Sequence, residues 1–274
     1  MFLYTYGIGC FLKLIILDID NVMIPKIVHY CWYGGKSKPP MVISCIRSWR
    51  KYLPDWTFVE WNESNSEPML SCNYFRDALA HKGYAFASDY ARLFALNRWG
   101  GVYLDTDLEL FRSLAPFLEN KMFTSNIIDR KGTRTYSSRI DSSGELIDEN
   151  KPYIGFGLQS PIIGAEKGHW FIKELLDYYE NLQYSTDEHV IIDAVMAELL
   201  YKHGFRYIDE EQNIDGVHIY PTKLFQCYRN IFYKGAVSMH WCMNSWVSST
   251  NILKRIMYYN PMVFKIYRTI KDQL

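Results

Sequence analysis

Two carboxylates, Asp105 and Asp107, follow directly on an apolar run at residues 101–104. A short apolar run that ends in acids predicts a buried strand with the acids at its carboxyl end. Acids two residues apart on an extended chain point to the same face. Such a pair beside an apolar wall is costly unless a cation lies between the carboxylates, and a divalent cation carrying a diphosphate is the usual solution. The spacing therefore predicts a metal–diphosphate site.

The elements before the acid pair alternate between strand and helix. Strands are predicted at 27–32, 56–61 and 102–104, and helices at 42–52, 68–82 and 85–99. Gly100 and Gly101 predict the end of the last of these helices. In α/β folds with this order, ligands collect at the carboxyl ends of the strands.

The second half of the sequence is less regular. Helices are predicted at 170–182 and 188–203, and short strands at 205–208 and 217–221. Residues 129–152 are rich in small and polar side chains, which is typical of a loop on the substrate side of such a fold. We therefore expect a regular nucleotide-binding half and a more variable second half.

The composition limits the class of protein. A chain of 274 residues without a marked linker fits a single domain. The formal net charge of +0 argues against binding to nucleic acid. The 6 cysteines form no C-x-x-C pair and no zinc-type spacing, which indicates reduced thiols in a cytoplasmic protein. No run reaches the roughly 20 apolar residues of a membrane span.

The two ends of the chain differ from its middle. Residues 1–22 are expected to be a leader that is not native or is poorly ordered, because a continuous strand-like run begins at Met23, a candidate start residue. Residues 23–251 form the expected domain. Residues 252–274 form a basic amphipathic segment. Such a segment either lies on the anionic inner leaflet of a membrane or packs on the domain with its Lys and Arg in water, and the sequence leaves both open.

Four ordered blocks resemble the family 32 glycosyltransferases, a family of sugar-transferring enzymes with a DXD motif. They are Val-His-Tyr-Cys-Trp at 28–32, Ser-Asp-Tyr-Ala-Arg at 88–92, Gly-Gly-Val-Tyr-Leu-Asp-Thr-Asp at 100–107 and His-Trp-Cys-Met-Asn-Ser-Trp at 240–246. The resemblance implies a GT-A-like α/β domain with a Rossmann-type nucleotide half, a mixed central sheet and a variable acceptor half.

The same resemblance implies an activity. It is the transfer of a hexose from a UDP- or GDP-sugar to a glycan or lipid-linked oligosaccharide, with Mn²⁺ or Mg²⁺ and with retention of the anomeric configuration. Bacterial surface polysaccharide synthesis is the implied setting.

The resemblance also assigns roles to individual residues. Asp107 would bind the metal, and Asp105 would bond the donor's ribose or reach the metal through water. Asp89 and Arg92 would hold the sugar hydroxyls and the phosphate, although residues at i and i+3 of a helix also form plain ion pairs. Tyr103 would lie beside the nucleotide, with a buried strand tyrosine as the alternative.

More distant residues complete the expected site. Trp32 would stack on the base, with core packing as the alternative. Either His240 or Asn244 would complete the metal shell, and Trp246 would contact the diphosphate. Gln159 lies where retaining transferases of this fold carry a polar group near the anomeric carbon, and it is a catalytic candidate. No carboxylate is placed as a nucleophile, which favours front-face transfer.

Two other functions fit parts of the sequence. The apolar run that closes in Asp18 and Asp20 resembles the nucleophile loop of haloacid-dehalogenase-type phosphatases, in which the first acid attacks phosphorus. The later lysine and acidic pair of that family are not found in order. A non-catalytic sugar-binding module that keeps the fold is the third alternative.

Overall fold

The structure is a computed structural model, and it describes residues 24–128, 137–148, 155–227, 234–243, 260–263 and 265–266. The predicted leader and most of the basic C-terminal segment therefore lie outside the described residues, as does half of the predicted loop at 129–152.

The main helices surround a central sheet. They are α1 (Pro40–Tyr52), α2 (Asn73–Ala80), α3 (Tyr84–Trp99), α4 (Trp170–Glu180) and α5 (Ile192–Tyr201), with 3₁₀ turns at Glu67–Ser71, Ala115–Phe117 and Ser137–Arg139. Within the described ranges, none of these helices combines the length and apolar character that crossing a bilayer requires.

The central sheet is mixed. Its strands are β1 (Ile27–Cys31), β2 (Thr57–Trp61), β3 (Gly101–Leu104), β5 (Met122–Ile128), β6 (Phe156–Leu158), β7 (Ile162–Ala165), β8 (Gln212–Ile214) and β9 (Val217–Tyr220). Their order is β2-β1-β3-β7-β5-β9-β8, with β6 paired to β5. β1 runs parallel to β2 and β3, whereas β7 is antiparallel to both β3 and β5. The predicted α/β fold with a mixed central sheet is confirmed.

A second, smaller sheet places residues from near position 240 beside the acids. It consists of β4 (Leu108–Leu110), β10 (Phe225–Cys227) and β11 (Ser238–His240), in the order β10-β11-β4. The antiparallel register pairs His240 with Leu108. Because Leu108 is the residue after Asp107, this pairing brings the block that begins at His240 next to the acid pair.

Helices cover both faces of the central sheet, and β3 shows how. Tyr103 belongs to the apolar cluster built with α3 and α4, whereas Val102 and Leu104 belong to the cluster that includes Trp49 of α1. Successive side chains on a strand point to opposite faces. The strand that leads to the acids is therefore buried on both sides, and all of its residues are buried.

The joint between α3 and β3 depends on glycine and on a buried histidine. Gly101 has a φ of 107°, and a Cβ atom there would lie 2.7 Å from the main-chain oxygen of Ile27. The Nε2 of His29 lies 2.9 Å from the carbonyl oxygen of Gly100, and Nδ1 of its ring accepts from the indole of Trp61 at 3.3 Å. His29 thus satisfies a main-chain group and helps to fix the start of β3.

Most predicted elements up to residue 108 are confirmed, but several later ones differ. The predicted helix at 68–82 is divided between the 3₁₀ turn at Glu67–Ser71 and α2. The predicted helix at 188–203 begins only at Ile192. The predicted strand at 217–221 is confirmed as β9.

The predicted strand at 205–208 is wrong. Its apolar residues Phe205 and Tyr207 are buried as the alternation suggested. However, the Gln212 side chain accepts from Arg206 N–H at 2.9 Å and donates to the Arg206 carbonyl oxygen at 2.9 Å, and Tyr207 N–H donates to the carbonyl oxygen of Gly144. These hydrogen-bond partners take the place of the neighbouring strand that the alternation predicted.

Candidate functional site

Asp105, Thr106 and Asp107 form a tight turn, not an extension of the strand. Leu108 N–H donates to the carbonyl oxygen of Asp105 at 2.9 Å, and Asp105 N–H donates to the carbonyl oxygen of Pro161 at 2.9 Å. The expectation that the acids converge because the backbone is extended is therefore wrong. They converge because the chain reverses between them.

Three donor atoms meet above this turn. Nε2 of His240 lies 3.1 Å from Oδ1 of Asp107 and 3.9 Å from Oδ2 of Asp105. The three side chains each offer one ligand atom within 4.8 Å of the others. These three side chains form a candidate metal-binding group. Asn244, the alternative to His240 in the sequence prediction, lies outside the described residues.

The remaining oxygens of both acids are held by the protein. The Tyr103 hydroxyl donates to Oδ1 of Asp105 at 2.9 Å, and Met243 N–H donates to Oδ2 of Asp107 at 2.6 Å. Each carboxylate is thereby oriented so that its other oxygen faces His240. A set of two carboxylate oxygens and one imidazole nitrogen fits a divalent cation that prefers oxygen ligands.

The electrostatics around Asp107 favour its charged form. Burial acts to raise the pKa of this carboxyl, but the His240 imidazole and the Met243 N–H bond outweigh burial and hold the pKa below its ordinary value. Asp107 is therefore a carboxylate at neutral pH, which is the form that a metal ligand must have.

Strand β11 and the residues that follow it place His240 by alternation. Met239, Trp241 and Met243 pack into an apolar cluster against α1, whereas the intervening His240 and Cys242 line the cavity. Trp241 N–H donates to the carbonyl oxygen of Asp107 at 3.1 Å. The Sγ of Cys242 lies 3.3 Å from Nδ1 of His240, on the opposite side of the ring from the acids.

Arg92 joins α3 to the acid turn. Its Nη2 donates to Oδ1 of Asp89 at 2.7 Å and lies 3.6 Å from Oδ1 of Asp105, and its guanidinium lies 4.4 Å from the Tyr103 ring centre. The predicted i, i+3 ion pair is confirmed. Burial raises the pKa of Asp89 to about 7, against the opposing attraction of Arg92.

A bend at Ser160 and Pro161 connects three parts of the site through main-chain atoms. The Ser160 carbonyl oxygen accepts from Nη1 of Arg92 at 2.7 Å, and Ser160 N–H donates to Oδ1 of Asp193 at 2.9 Å. Pro161 accepts from Asp105, as described above. The acid turn, α3 and the first turn of α5 are thus tied together. No sequence signal marked this bend beyond its position beside Gln159.

The acids and Arg92 face a cavity of about 250 Å³. Its lining contains most of the predicted site residues and several that the sequence did not indicate. The lining residues are Cys31, Trp32, Tyr33, Lys36, Tyr84, Ala85, Ser88, Arg92, Tyr103, Asp105, Thr106, Asp107, His240 and Cys242.

Trp32, the residue after β1, also lines this cavity. Its indole N–H donates to the carbonyl oxygen of Lys36 at 2.6 Å, and the Lys38 ammonium lies 5.5 Å from its ring centre. Gly34, with a φ of 90°, lets the chain pass Tyr84, since a Cβ atom there would lie 2.7 Å from Cε2 of the Tyr84 ring. The indole is half-buried and is held in place from one edge.

Other predicted residues lie elsewhere. Gln159 is buried outside the cavity lining, and its amide nitrogen donates to the main-chain oxygens of Asn126 and Phe225. Its Oε1 has no hydrogen-bond partner among the described residues. Trp246 and the acid pair Asp18 and Asp20 lie outside the described residues.

Comparison with known proteins gives a match over the part of the chain that holds the acids. Residues 39–126 match the family described as "Glycosyltransferase sugar-binding region containing DXD motif". Inositol phosphoceramide mannosyltransferase 3 of Schizosaccharomyces pombe is 29% identical over 102 residues, which is 36% of this chain and 28% of that protein. Inositol phosphoceramide mannosyltransferase 1 of the same organism is 27% identical over 106 residues, 36% of this chain and 33% of that protein. The chain thus spans about a third or less of the length of these relatives.

Among solved structures, similarity is found to the PaToxG glycosyltransferase, with a TM-score of 0.46 and 18% identity over 66% of this chain and 70% of that one. The galactosyltransferase LgtC, solved with donor and acceptor sugar analogs, has a TM-score of 0.41 and 12% identity over 79% of this chain and 87% of that one.

The matched region runs from α1 into β5 and contains Asp89, Arg92, Asp105 and Asp107. Of the residues that line the cavity, Asp105 and Asp107 are the two acids of the DXD motif that the family description names. Residues 39–126 of this chain are therefore similar to the glycosyltransferase family whose sugar-binding region contains the DXD motif.

Proposed function

We propose that this chain is a metal-dependent, retaining glycosyltransferase that moves a hexose from a nucleotide sugar to a glycan or lipid-linked acceptor. The observation that carries the proposal is the convergence of Asp105, Asp107 and His240 at a cavity that also contains Arg92 and Trp32. In a bound nucleotide sugar, the cation site would suit the diphosphate, the buried guanidinium a phosphate or sugar oxygen, and the aromatic ring the base.

Asp107 and His240, with Asp105, would hold Mn²⁺ or Mg²⁺. The bound ion would offset the charge that grows on the nucleoside diphosphate as it leaves. Asp105 is shared, because one of its oxygens faces His240 while the other is held by Tyr103 near Arg92. This supports the unequal roles expected for the two acids, with Asp107 on the metal and Asp105 between the metal and the donor's ribose.

Arg92 would supply positive charge to the phosphate or the sugar. Its Nε and one hydrogen of each terminal nitrogen are used by Ser88, Ser160 and Asp89. Each terminal nitrogen carries a second hydrogen that remains for a ligand oxygen. The guanidinium is thus fixed before the donor arrives, so little side-chain entropy is lost on binding.

Trp32 would stack on the base, Tyr103 would lie beside the nucleotide and Asp89 would accept from sugar hydroxyls. Trp246 would contact the diphosphate and Asn244 would be the alternative ligand to His240. Gln159 is kept as a candidate near the anomeric carbon, although its buried amide favours a role in holding β5 and β10 together.

The acceptor and the setting are also proposals. The fungal relatives are named for mannosyl transfer to inositol phosphoceramide, which favours a lipid-linked acceptor. Residues 23–251 would form the catalytic domain of a cytoplasmic protein. Met262, Val263 and Ile266 of the C-terminal segment are exposed, and they would let that segment touch the inner leaflet during polysaccharide synthesis.

A donor-turnover assay tests the activity. The protein is incubated with UDP-glucose, UDP-galactose, GDP-mannose or a phosphate ester, with Mn²⁺ or with EDTA, and release of nucleoside diphosphate or phosphate is measured. We expect Mn²⁺-dependent release of nucleoside diphosphate that is lost in Asp107→Asn and kept in Asp18→Asn.

The other outcomes identify the alternatives. Phosphate release that is lost only in Asp18→Asn would mean a phosphatase. Tight binding of a nucleotide sugar without turnover would mean a sugar-binding module. For the segment at 252–274, co-sedimentation with anionic vesicles that is unchanged after its deletion would overturn the proposed membrane contact.

A further inference from the structure

The C-terminal segment returns to the metal site through one ion pair. Nζ of Lys265 lies 2.6 Å from Oε1 of Glu109, and Nε1 of Trp241 donates to Oε2 of the same carboxylate at 3.0 Å. The Lys265 ammonium also lies 5.6 Å from the centre of the Trp241 ring. The three side chains therefore close a triangle in which both oxygens of Glu109 are used.

The three side chains of this triangle are largely shielded from water. The Glu109 side chain is 14% exposed and that of Lys265 is 30% exposed, while Trp241 is 2% exposed. A charge-assisted bond in such a setting is stronger and less screened than an ion pair on the surface. A carboxylate left there without Lys265 would be an uncompensated, largely buried charge.

Trp241 connects the triangle to the metal ligands. It follows His240 directly in sequence, and its N–H donates to the carbonyl oxygen of Asp107. Glu109, at the other end, lies two residues after Asp107 on β4 and pairs with Met239 of β11. Holding the indole in place thus holds the two chain segments that deliver His240 and Asp107.

We propose that Lys265 is a positioning residue for the metal site, acting through Glu109 and Trp241 to hold His240 against the two acids. This inference rests on the proposed function only in taking Asp105, Asp107 and His240 as metal ligands. It assigns to the C-terminal segment a part in cation binding that is separate from any contact with a membrane.

The sign of the effect distinguishes positioning from simple electrostatics. Lys265 is a cation near a cation site, so its removal by charge alone would tighten Mn²⁺ binding. Loss of positioning has the opposite effect, because groups that orient metal ligands typically contribute about 10–100-fold in affinity. We therefore expect Lys265→Met to bind Mn²⁺ about 10-fold more weakly.

The test is Mn²⁺ titration of the full-length protein, followed by electron paramagnetic resonance of the bound ion. Lys265→Arg keeps the bond to Glu109 and should stay within about twofold of the wild type. Lys26→Met is the matched control, because Lys26 forms an exposed pair with Asp55 at 2.5 Å and neither residue lines the cavity. The nitrogen hyperfine signal of a bound imidazole should weaken in Lys265→Met and persist in both other variants.

Unchanged or tighter Mn²⁺ binding in Lys265→Met would overturn the inference. Thermal unfolding without metal checks that the variant is folded. Glu109→Gln provides a second route, since it removes the carboxylate charge from the same bond while leaving Lys265 in place. If the wild type itself binds no Mn²⁺, the proposed metal site fails and not merely the role of Lys265.

Discussion

Nε2 of His240 lies 3.1 Å from Oδ1 of Asp107, although the two residues come from distant parts of the chain. The small sheet makes this contact possible, because β11 pairs with β4 immediately after the acid turn. The candidate metal site is therefore complete only when both sheets have formed.

Replacement of His240 by Ala should weaken Mn²⁺ binding by at least about 10-fold, since the imidazole is the nitrogen donor of the group. It should also raise the pKa of Asp107, because the imidazole that lowers it is gone. Calorimetric titration with Mn²⁺ measures the first effect. His218→Ala is the control, since His218 pairs with Glu211, stacks on Tyr220 and does not line the cavity. Equal losses in the two variants would contradict the assignment.

Arg92→Met should destabilise the fold by about 3 kcal/mol, because it leaves Asp89 buried without its partner. Arg92→Lys keeps the charge but loses the bond to Ser160 and the stacking on Tyr103, and we expect a loss of about 1–2 kcal/mol. Urea unfolding monitored by circular dichroism measures both.

The exposed Arg50, which stacks on Phe58, offers a control in which Arg50→Lys should change the free energy of unfolding by less than about 0.5 kcal/mol. Adding Asp89→Asn to Arg92→Met should recover part of the loss, since position 89 then no longer carries a buried carboxylate without its partner. A double variant as unstable as the single one would show that the cost lies elsewhere.

His29 should make the fold sensitive to acid. Burial lowers its pKa to about 4 from 6.5, so between these values the unfolded chain binds a proton that the folded protein does not. The contribution is fully present above pH 6.5 and is lost as the pH falls towards 4, a total of about 3 kcal/mol.

His29→Gln removes this titration. The free energy of unfolding is measured for both proteins from pH 7 to pH 4, and the difference between the two curves isolates His29 from the other titrating groups. We expect the wild type to lose more stability on acidification than the variant. Parallel curves would mean that the imidazole is protonated in the folded protein.

Gly101→Ala should be more damaging than Gly35→Ala. Both residues have positive φ, but a Cβ atom at Gly101 would lie 2.7 Å from a main-chain oxygen, whereas one at Gly35 meets nothing within 4 Å. Strain alone costs about 1–2 kcal/mol, so Gly35→Ala should show that loss and Gly101→Ala clearly more. Thermal unfolding ranks the two, and a reversed order would contradict the described joint between α3 and β3.

The first half of the fold could be predicted because its signals are local. The apolar run before Asp105 and the glycine pair after α3 each specify an element within a few residues, and both are confirmed. The strand predicted at 205–208 failed because alternation reports which side chains are buried and not what the main chain bonds to. At Arg206 that partner is a glutamine side chain.

The site shows the same division. The acids, Arg92 and Trp32 stand in recognisable blocks, and the structure brings them to one cavity. The contact of Lys265 with Glu109 could not be predicted, because it joins the C-terminal segment to a distant strand. One signal was available, since the alternation of Met239, Trp241 and Met243 with His240 and Cys242 indicates a strand-like segment with one buried and one open face.

The bend at Ser160 and Pro161 holds the acid turn, α3 and α5 through carbonyl oxygens and one N–H group, and none of these atoms belongs to a side chain of the bend. Substitutions that keep the path of the backbone there should leave the cavity intact. The residue types at this bend can therefore change while the main-chain contacts that join the acid turn to both helices are kept.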